Sequence, residues 1–206
     1  MLPSGRQVLL DMLHYNWLLL TGLLSSSVLA TDSEDLVGSL TVEGKEAASA
    51  TVALETCNPL KAQGCPADKA LATSIFSDFK SEDSHYLPYR TPSEILYTDE
   101  GLQLTLAKRF DNPSLVSDFY IMFGKVEVGL KSAPGQGVIS SFYLQSDDLD
   151  EVDMEWFGGD VSQMQSNFFS KGDTTTYDRG QYHDMADPRA EYHNYTPVSY
   201  THLTLP

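Results

Sequence analysis

The chain has 206 residues, enough for one domain with additional segments, and carries a formal net charge of −16. Such acidity argues against nucleic acid or anionic membrane surfaces as partners, since both attract basic patches. It suits a neutral ligand, and the eleven Tyr and nine Phe fit a β-rich domain.

In chain order, the first element is a short apolar run over residues 17–24, followed by the small-residue pattern Val28, Leu29, Ala30. The run is too short to span a bilayer. Together they read as a secretory signal over residues 1–30. Residues 31–56 are acidic, Ser/Ala-rich and poor in aromatics, which predicts a flexible lead-in. Cys57 and Cys65 are the only two cysteines. An exported chain oxidises such a pair, so a disulfide is expected. Its short loop predicts a modest stabilisation of about 2–3 kcal/mol. Two cysteines with no nearby histidine fall short of a zinc site, and no metal is expected.

Period-2 patterns follow, broken by Pro/Gly turns. Leu102, Leu104 and Leu106 alternate with polar or small residues, and Phe119, Ile121 and Phe123 alternate likewise. Residues 125–131 place Val126, Val128 and Leu130 on one face, and residues 138–144 form an apolar-rich run. Several short strands of this kind predict an all-β sandwich.

The run Asp150 to Asp160 holds Glu151, Asp153 and Glu155 at alternate positions, interleaved with Val152, Met154 and Trp156. In a strand the three carboxylates share one face. Like charges repel there, and folding alone does not favour that arrangement. Cleavage of a glycosidic bond does call for paired carboxylates. Residues four apart in an extended strand lie roughly 13 Å apart at Cα, so the two Glu side chains must lean together. An exposed acidic edge is the alternative reading. Gly158 and Gly159 then signal a hairpin turn. Beyond it Gln163, Gln165 and Asn167 alternate with Met164, Ser166 and Phe168.

The Glu151–Asp153–Glu155 run resembles the Glu-x-Asp-x-Glu signature of glycoside hydrolase family 16. With residues 118–128, 133–142, 163–169 and 171–180, and with Cys57–Leu60 and Cys65–Pro66, it resembles the fungal Crh-type chitin–glucan cross-linking transglycosidases. The resemblance covers 57–196. It implies a jelly-roll β-sandwich with a concave glycan cleft, and Glu151 as nucleophile, Glu155 as acid/base and Asp153 assisting. Amides suit sugar hydroxyls, so Gln165 and Asn167 are candidate substrate contacts, the alternative being a strand face that meets water. Tyr177 and Arg179 are candidates at the cleft rim, the alternative being a salt-bridged loop. His183 and His193 read as structural. Asn194, Tyr195 and Thr196 form a glycosylation sequon, with Asn194 as the acceptor.

Residues 197–206 do not resemble the family, so its jelly roll is expected to be incomplete in this chain. The expected function is transfer of a chitin-like donor onto a β-glucan acceptor through a covalent glycosyl-enzyme, in the cell wall. Cell-wall polysaccharides are the expected partners, with no nucleic acid, no protein partner inferred and no cofactor. A hydrolytic endo-β-glucanase of the same fold is the nearest alternative. An inactive, truncated glycan-binding fragment is another.

Overall fold

Alternation in the carboxylate region produces a run of antiparallel strands. In the computed structural model, which describes residues 6–14, 57–71, 73–121, 123–176 and 178–199, nearly every element is a strand. They are β1 (Arg6–His14), β2 (Tyr86–Arg90), β3 (Ile95–Thr98), β4 (Gly101–Leu104), β5 (Ser114–Ile121), β6 (Gly124–Lys125), β7 (Val128–Leu130), β8 (Val138–Gln145), β9 (Glu151–Phe157), β10 (Gln163–Phe169), β11 (Gln181–Asp184), β12 (His193–Tyr195) and β13 (Val198–Ser199). The described residues fall in one unit, residues 1–15 with 51–206.

The main sheet has the order β11-β10-β9-β8-β1-β5-β2, with ribbons β12-β7, β13-β6 and β3-β4 beside it. The stretch β8 to β11 is a meander, each strand pairing with the next. The core lies on one face of that meander. Phe142 and Leu144 of β8, Met154 and Trp156 of β9, Met164 of β10, Phe119 of β5 and Tyr195 of β12 form it. Trp156 is wholly buried, and its ring meets Tyr195 edge-on at 4.5 Å. Val126, Val128 and Leu130 pack on the same cluster, so the β7–β12 ribbon forms part of a second layer. This is the all-β jelly-roll architecture, with ribbons rather than a closed second sheet among the described residues.

Several details differ from the sequence reading, and β5 ends at Ile121, so that Phe123 lies outside it and exposed. The expected strand over 125–131 is broken into β6 and β7, although its three apolar residues still share the core side. The Gly158–Gly159 signal belongs to a five-residue connection, 158–162, rather than a two-residue turn. Close approach explains Gly158. A Cβ there would lie 2.5 Å from the Gly135 carbonyl oxygen and 2.7 Å from that of Ala133. The Gly158 N–H donates to Val138 and its carbonyl accepts from Gly135, which ties the end of β9 to the turn before β8.

Of the expected leader, 1–30, only Arg6–His14 is described. There the chain is β1, seated between β5 and β8. The lead-in 31–56 and Tyr177 lie outside the described residues.

Candidate functional site

The strand β9 carries the site because its two faces are chemically opposite. Val152, Met154 and Trp156 point toward the core, and Glu151, Asp153 and Glu155 occupy the other face. Cross-strand partners share a face, and the register therefore fixes the neighbours. On β8 these are Gln145 opposite Glu151, Tyr143 opposite Asp153 and Ser141 opposite Glu155. On β10 they are Phe169, Asn167 and Gln165 in the same order. One strand further, Tyr182 of β11 lies opposite Gln165. Three rows thus cross the sheet, each centred on one carboxylate.

Asp153 is buried and donates its proton in a hydrogen bond to Glu151. Burial first, then that bond, then the charges of Glu151 and Glu155 hold its carboxyl well above the usual carboxylate range. Glu155 is also raised, first by burial and then by the charge of Glu151. Gln145 Nε2 donates to Glu151 Oε2. One carboxylate therefore accepts from two donors, while a second acid on the same face retains its proton above the normal range. That division supplies an anion and a proton donor side by side, which glycoside cleavage with retention requires.

Gln165 and Asn167 lie on this face as expected, and neither side-chain amide bonds to another described residue. Gly180 makes room for one of them, since a Cβ there would sit 2.9 Å from Gln165 Nε2. Tyr182 is 57% exposed and ends the Glu155 row. Arg179 is placed differently from an open rim cation. It donates to Thr176 Oγ1 at 3.0 Å and to the Asp173 carbonyl at 3.3 Å, with Asp173 Oδ2 at 3.5 Å. Its guanidinium lies 5.6 Å from the Phe168 ring centre and 5.9 Å from that of Phe169. It ties the 173–179 loop to the end of β10, beside Phe169 on the carboxylate face.

His183 accepts or donates a bond with Ser166 Oγ at 2.7 Å, across β10 and β11. Asn194 is exposed on β12. The Cys57–Cys65 disulfide is formed. Asp147 anchors it, accepting from the Cys57 N–H at 2.9 Å and from the Tyr120 hydroxyl at 2.7 Å. Burial, followed by the Asp147 bond, pushes the Tyr120 hydroxyl far above its ordinary value.

Gln145 was absent from the sequence reading. Residues 138–144 read there as one apolar run, which hid the alternation of Ser141, Tyr143 and Gln145. Continuing the period-2 count by one residue, opposite the carboxylate strand, would have found it.

The stretch 82–198 matches the model for glycosyl hydrolases family 16. The chain is 61% identical over 141 residues to Congo red hypersensitive protein 1 of Saccharomyces cerevisiae, covering 68% of this chain and 28% of that protein. It is 55% identical over 142 residues to Crh-like protein CRH11 of Candida albicans, covering 68% of this chain and 31% of that one. The chain thus spans about a third of the length of these curated relatives. Among solved structures, Crh5 transglycosylase in complex with NAG superposes with a TM-score of 0.65 at 48% identity, covering 70% of this chain and 59% of that one. β9 and its flanking strands lie inside the matched stretch, and the chain belongs to the glycosyl hydrolases of family 16.

Proposed function

We propose that this protein is a retaining transglycosylase of cell-wall polysaccharides, moving a chitin-like donor onto a β-glucan acceptor. The observation that carries the reading is the β9 face itself. Glu151 is flanked by a proton-bearing Asp153, and Glu155 is raised by burial on the same side. The likeness to a structure named a transglycosylase and holding NAG supports an N-acetylglucosamine-type donor.

In this reading Glu151 attacks the anomeric carbon and forms a bond to it, while Glu155 gives its proton to the departing oxygen. Glu155 then accepts the proton of an incoming hydroxyl as that oxygen displaces Glu151. Asp153 holds the nucleophile's orientation. Gln165 and Asn167 meet sugar hydroxyls, and Arg179 braces Phe169 at the rim, with Tyr177 adjoining it in sequence. The carboxyls supply both acid and nucleophile, so the steps require no cofactor.

The test is incubation with chitin oligosaccharides and a fluorescent β-glucan oligomer. A larger fluorescent product is expected. Shortened chitin oligomers with an unchanged fluorescent glucan would replace transfer by hydrolysis. Binding of either sugar without turnover would leave a glycan-binding fragment.

The same reading places the protein outside the cell, with 1–30 removed and Asn194 available for glycosylation. N-terminal sequencing of the exported protein should begin at Thr31. A start at Met1 would keep β1 in the sheet and overturn the leader reading.

A further inference from the structure

We propose that Gln145 is the positioning residue of the nucleophile, selecting which oxygen of Glu151 reacts and steadying the charge it regains in each cycle. This rests on the reading of Glu151 as nucleophile. Gln145 closes β8 directly opposite Glu151, which opens β9. Its Nε2 donates to Glu151 Oε2.

The backbone around Gln145 is held from both sides. Before it, β8 pairs with β9 from Ile139↔Phe157 onward. After it, the Ser146 N–H donates to the Asp150 carbonyl at 2.9 Å, and Ser146 Oγ accepts from the Asp150 N–H at 2.9 Å. Asp147, the next residue, is bound by the Cys57 N–H and the Tyr120 hydroxyl. A side chain on such a fixed stem presents its amide at one place.

The chemistry follows from that placement. Oε1 is assigned to the anomeric carbon and Oε2 is left to the Gln145 amide, with Asp153 sharing the same carboxylate. The leaving oxygen takes the Glu155 proton as this bond forms. In the intermediate, Oε2 is the ester carbonyl, still accepting from Gln145. When an acceptor oxygen bonds to the anomeric carbon, its proton goes to Glu155. The electron pair of the Oε1–carbon bond returns to Glu151, and the negative charge reappears beside a donor already in position. A preorganised donor at developing charge needs no reorganisation at the moment of reaction.

The experiment has two arms on the full chain. In the first, the side-chain amide of Gln145 is followed by 15N–1H NMR in the wild-type protein and in Glu151→Gln. A bonded amide proton should lie downfield in the wild type and move upfield in the variant. An amide indifferent to Glu151→Gln would overturn the proposal, whether or not the chain turns over substrate. In the second arm, Gln145→Met removes the donors at similar length. It should lower kcat about tenfold with little change in KM, because the donor acts on the charge that develops during reaction rather than on substrate binding. Gln145→Glu should recover rate only at acid pH, where its carboxyl keeps a proton to donate. An unchanged kcat in Gln145→Met would also overturn the proposal while leaving the transglycosylase reading intact. A coupled amide in a chain without turnover would uphold the Gln145–Glu151 contact and overturn the transglycosylase reading, and with it the positioning role.

Discussion

The acids of β9 and the acids of the turns around it carry the same functional group in opposite settings. Asp160 accepts from the Ser162 N–H at 2.8 Å, from Ser162 Oγ at 2.8 Å and from Gln163 Nε2 at 2.7 Å. Asp173 is served by Thr175, and Asp187 by the backbone and guanidinium of Arg189. These bonds lower all three carboxyls: the Ser162 N–H first for Asp160, the Thr175 hydroxyl first for Asp173, the Arg189 side chain first for Asp187. On β9, Asp153 and Glu155 are raised. The difference lies first in burial, which raises Asp153 and Glu155 and weighs less on the turn acids, and then in the donors within reach. Turn N–H groups are free to aim at a nearby carboxylate. The N–H groups of a central strand are committed to its ladder, so an acid on its face must find side-chain donors or keep its proton. An acidic chain can therefore hold turn carboxylates such as these three quietly and keep raised carboxyls together on one strand.

The largest test of that division is removal of the reactive acids. Glu151→Gln should reduce transfer by at least about 10³-fold, since the group proposed to form the intermediate is gone. Glu155→Gln should cost about 10²–10⁴-fold, with much less loss on donors whose leaving group needs no proton. Product analysis under matched conditions measures both. A Glu151→Gln protein with near-normal turnover would remove the distinction between the strand and the turns.

The second test is the pH dependence of rate. Glu155 must be protonated to act as acid, and its carboxyl lies above the ordinary value. Activity should hold above the usual carboxylate range and then fall as Glu155 loses its proton. A kcat/KM profile that falls at ordinary carboxylate pH would place the proton elsewhere.

Much of this division was legible beforehand. The alternation of Glu151, Asp153 and Glu155 with Val152, Met154 and Trp156 is a local pattern of period 2, and both faces of β9 follow from it. The Gln165 and Asn167 side of β10 follows for the same reason. What could not be read is what depends on pairing across strands. Gln145 and Glu151 meet through register, and neither residue announces the other. Arg179 reads either as a cleft-rim residue or as part of a salt-bridged loop, and only the fold shows that its partners are Asp173 and Thr176. Gly158 reads as a turn former, yet the approach of residues 133–135, distant in sequence, excludes its side chain. The break at Val126–Glu127 is invisible to an alternation that continues through it.

The third test turns electrostatics into stability. The folded carboxyl of Asp153 lies above its unfolded value. Its protonated form therefore favours folding fully below the unfolded value near 3.9, and that advantage is lost as pH rises through the folded value. The lowered carboxyls of Asp160, Asp173 and Asp187 act with the opposite sign and lose stabilisation as pH falls through their folded values. Thermal stability should then peak on the acid side of neutrality, at about pH 5. Asp153→Asn keeps a donor toward Glu151 and removes the ionisable group. It should raise stability at pH 7 and change it little near pH 4. A gain of equal size at both pH values would mean that repacking, rather than ionisation, sets the cost of the acid on this face.

The smallest effect is expected at Asp147, only four residues before Glu151 in sequence. It is a turn acid by its contacts, accepting from the Cys57 N–H and the Tyr120 hydroxyl. Asp147→Asn keeps one acceptor oxygen but turns an amide N–H toward one of these donors. Losing one such bond costs about 1 kcal/mol, visible as a lower urea midpoint with an unchanged slope. The disulfide stays closed, because its ring does not depend on Asp147. Transfer should change less than about threefold, well short of the loss for Glu155→Gln, because the two Ser146–Asp150 bonds still hold the stem of Gln145 and no carboxyl on the β9 face has been altered. A loss of rate comparable to Glu155→Gln, with stability unchanged, would show that proximity in sequence matters more than hydrogen-bonding context. The separation between quiet and reactive acids would then have to be redrawn to include the turn.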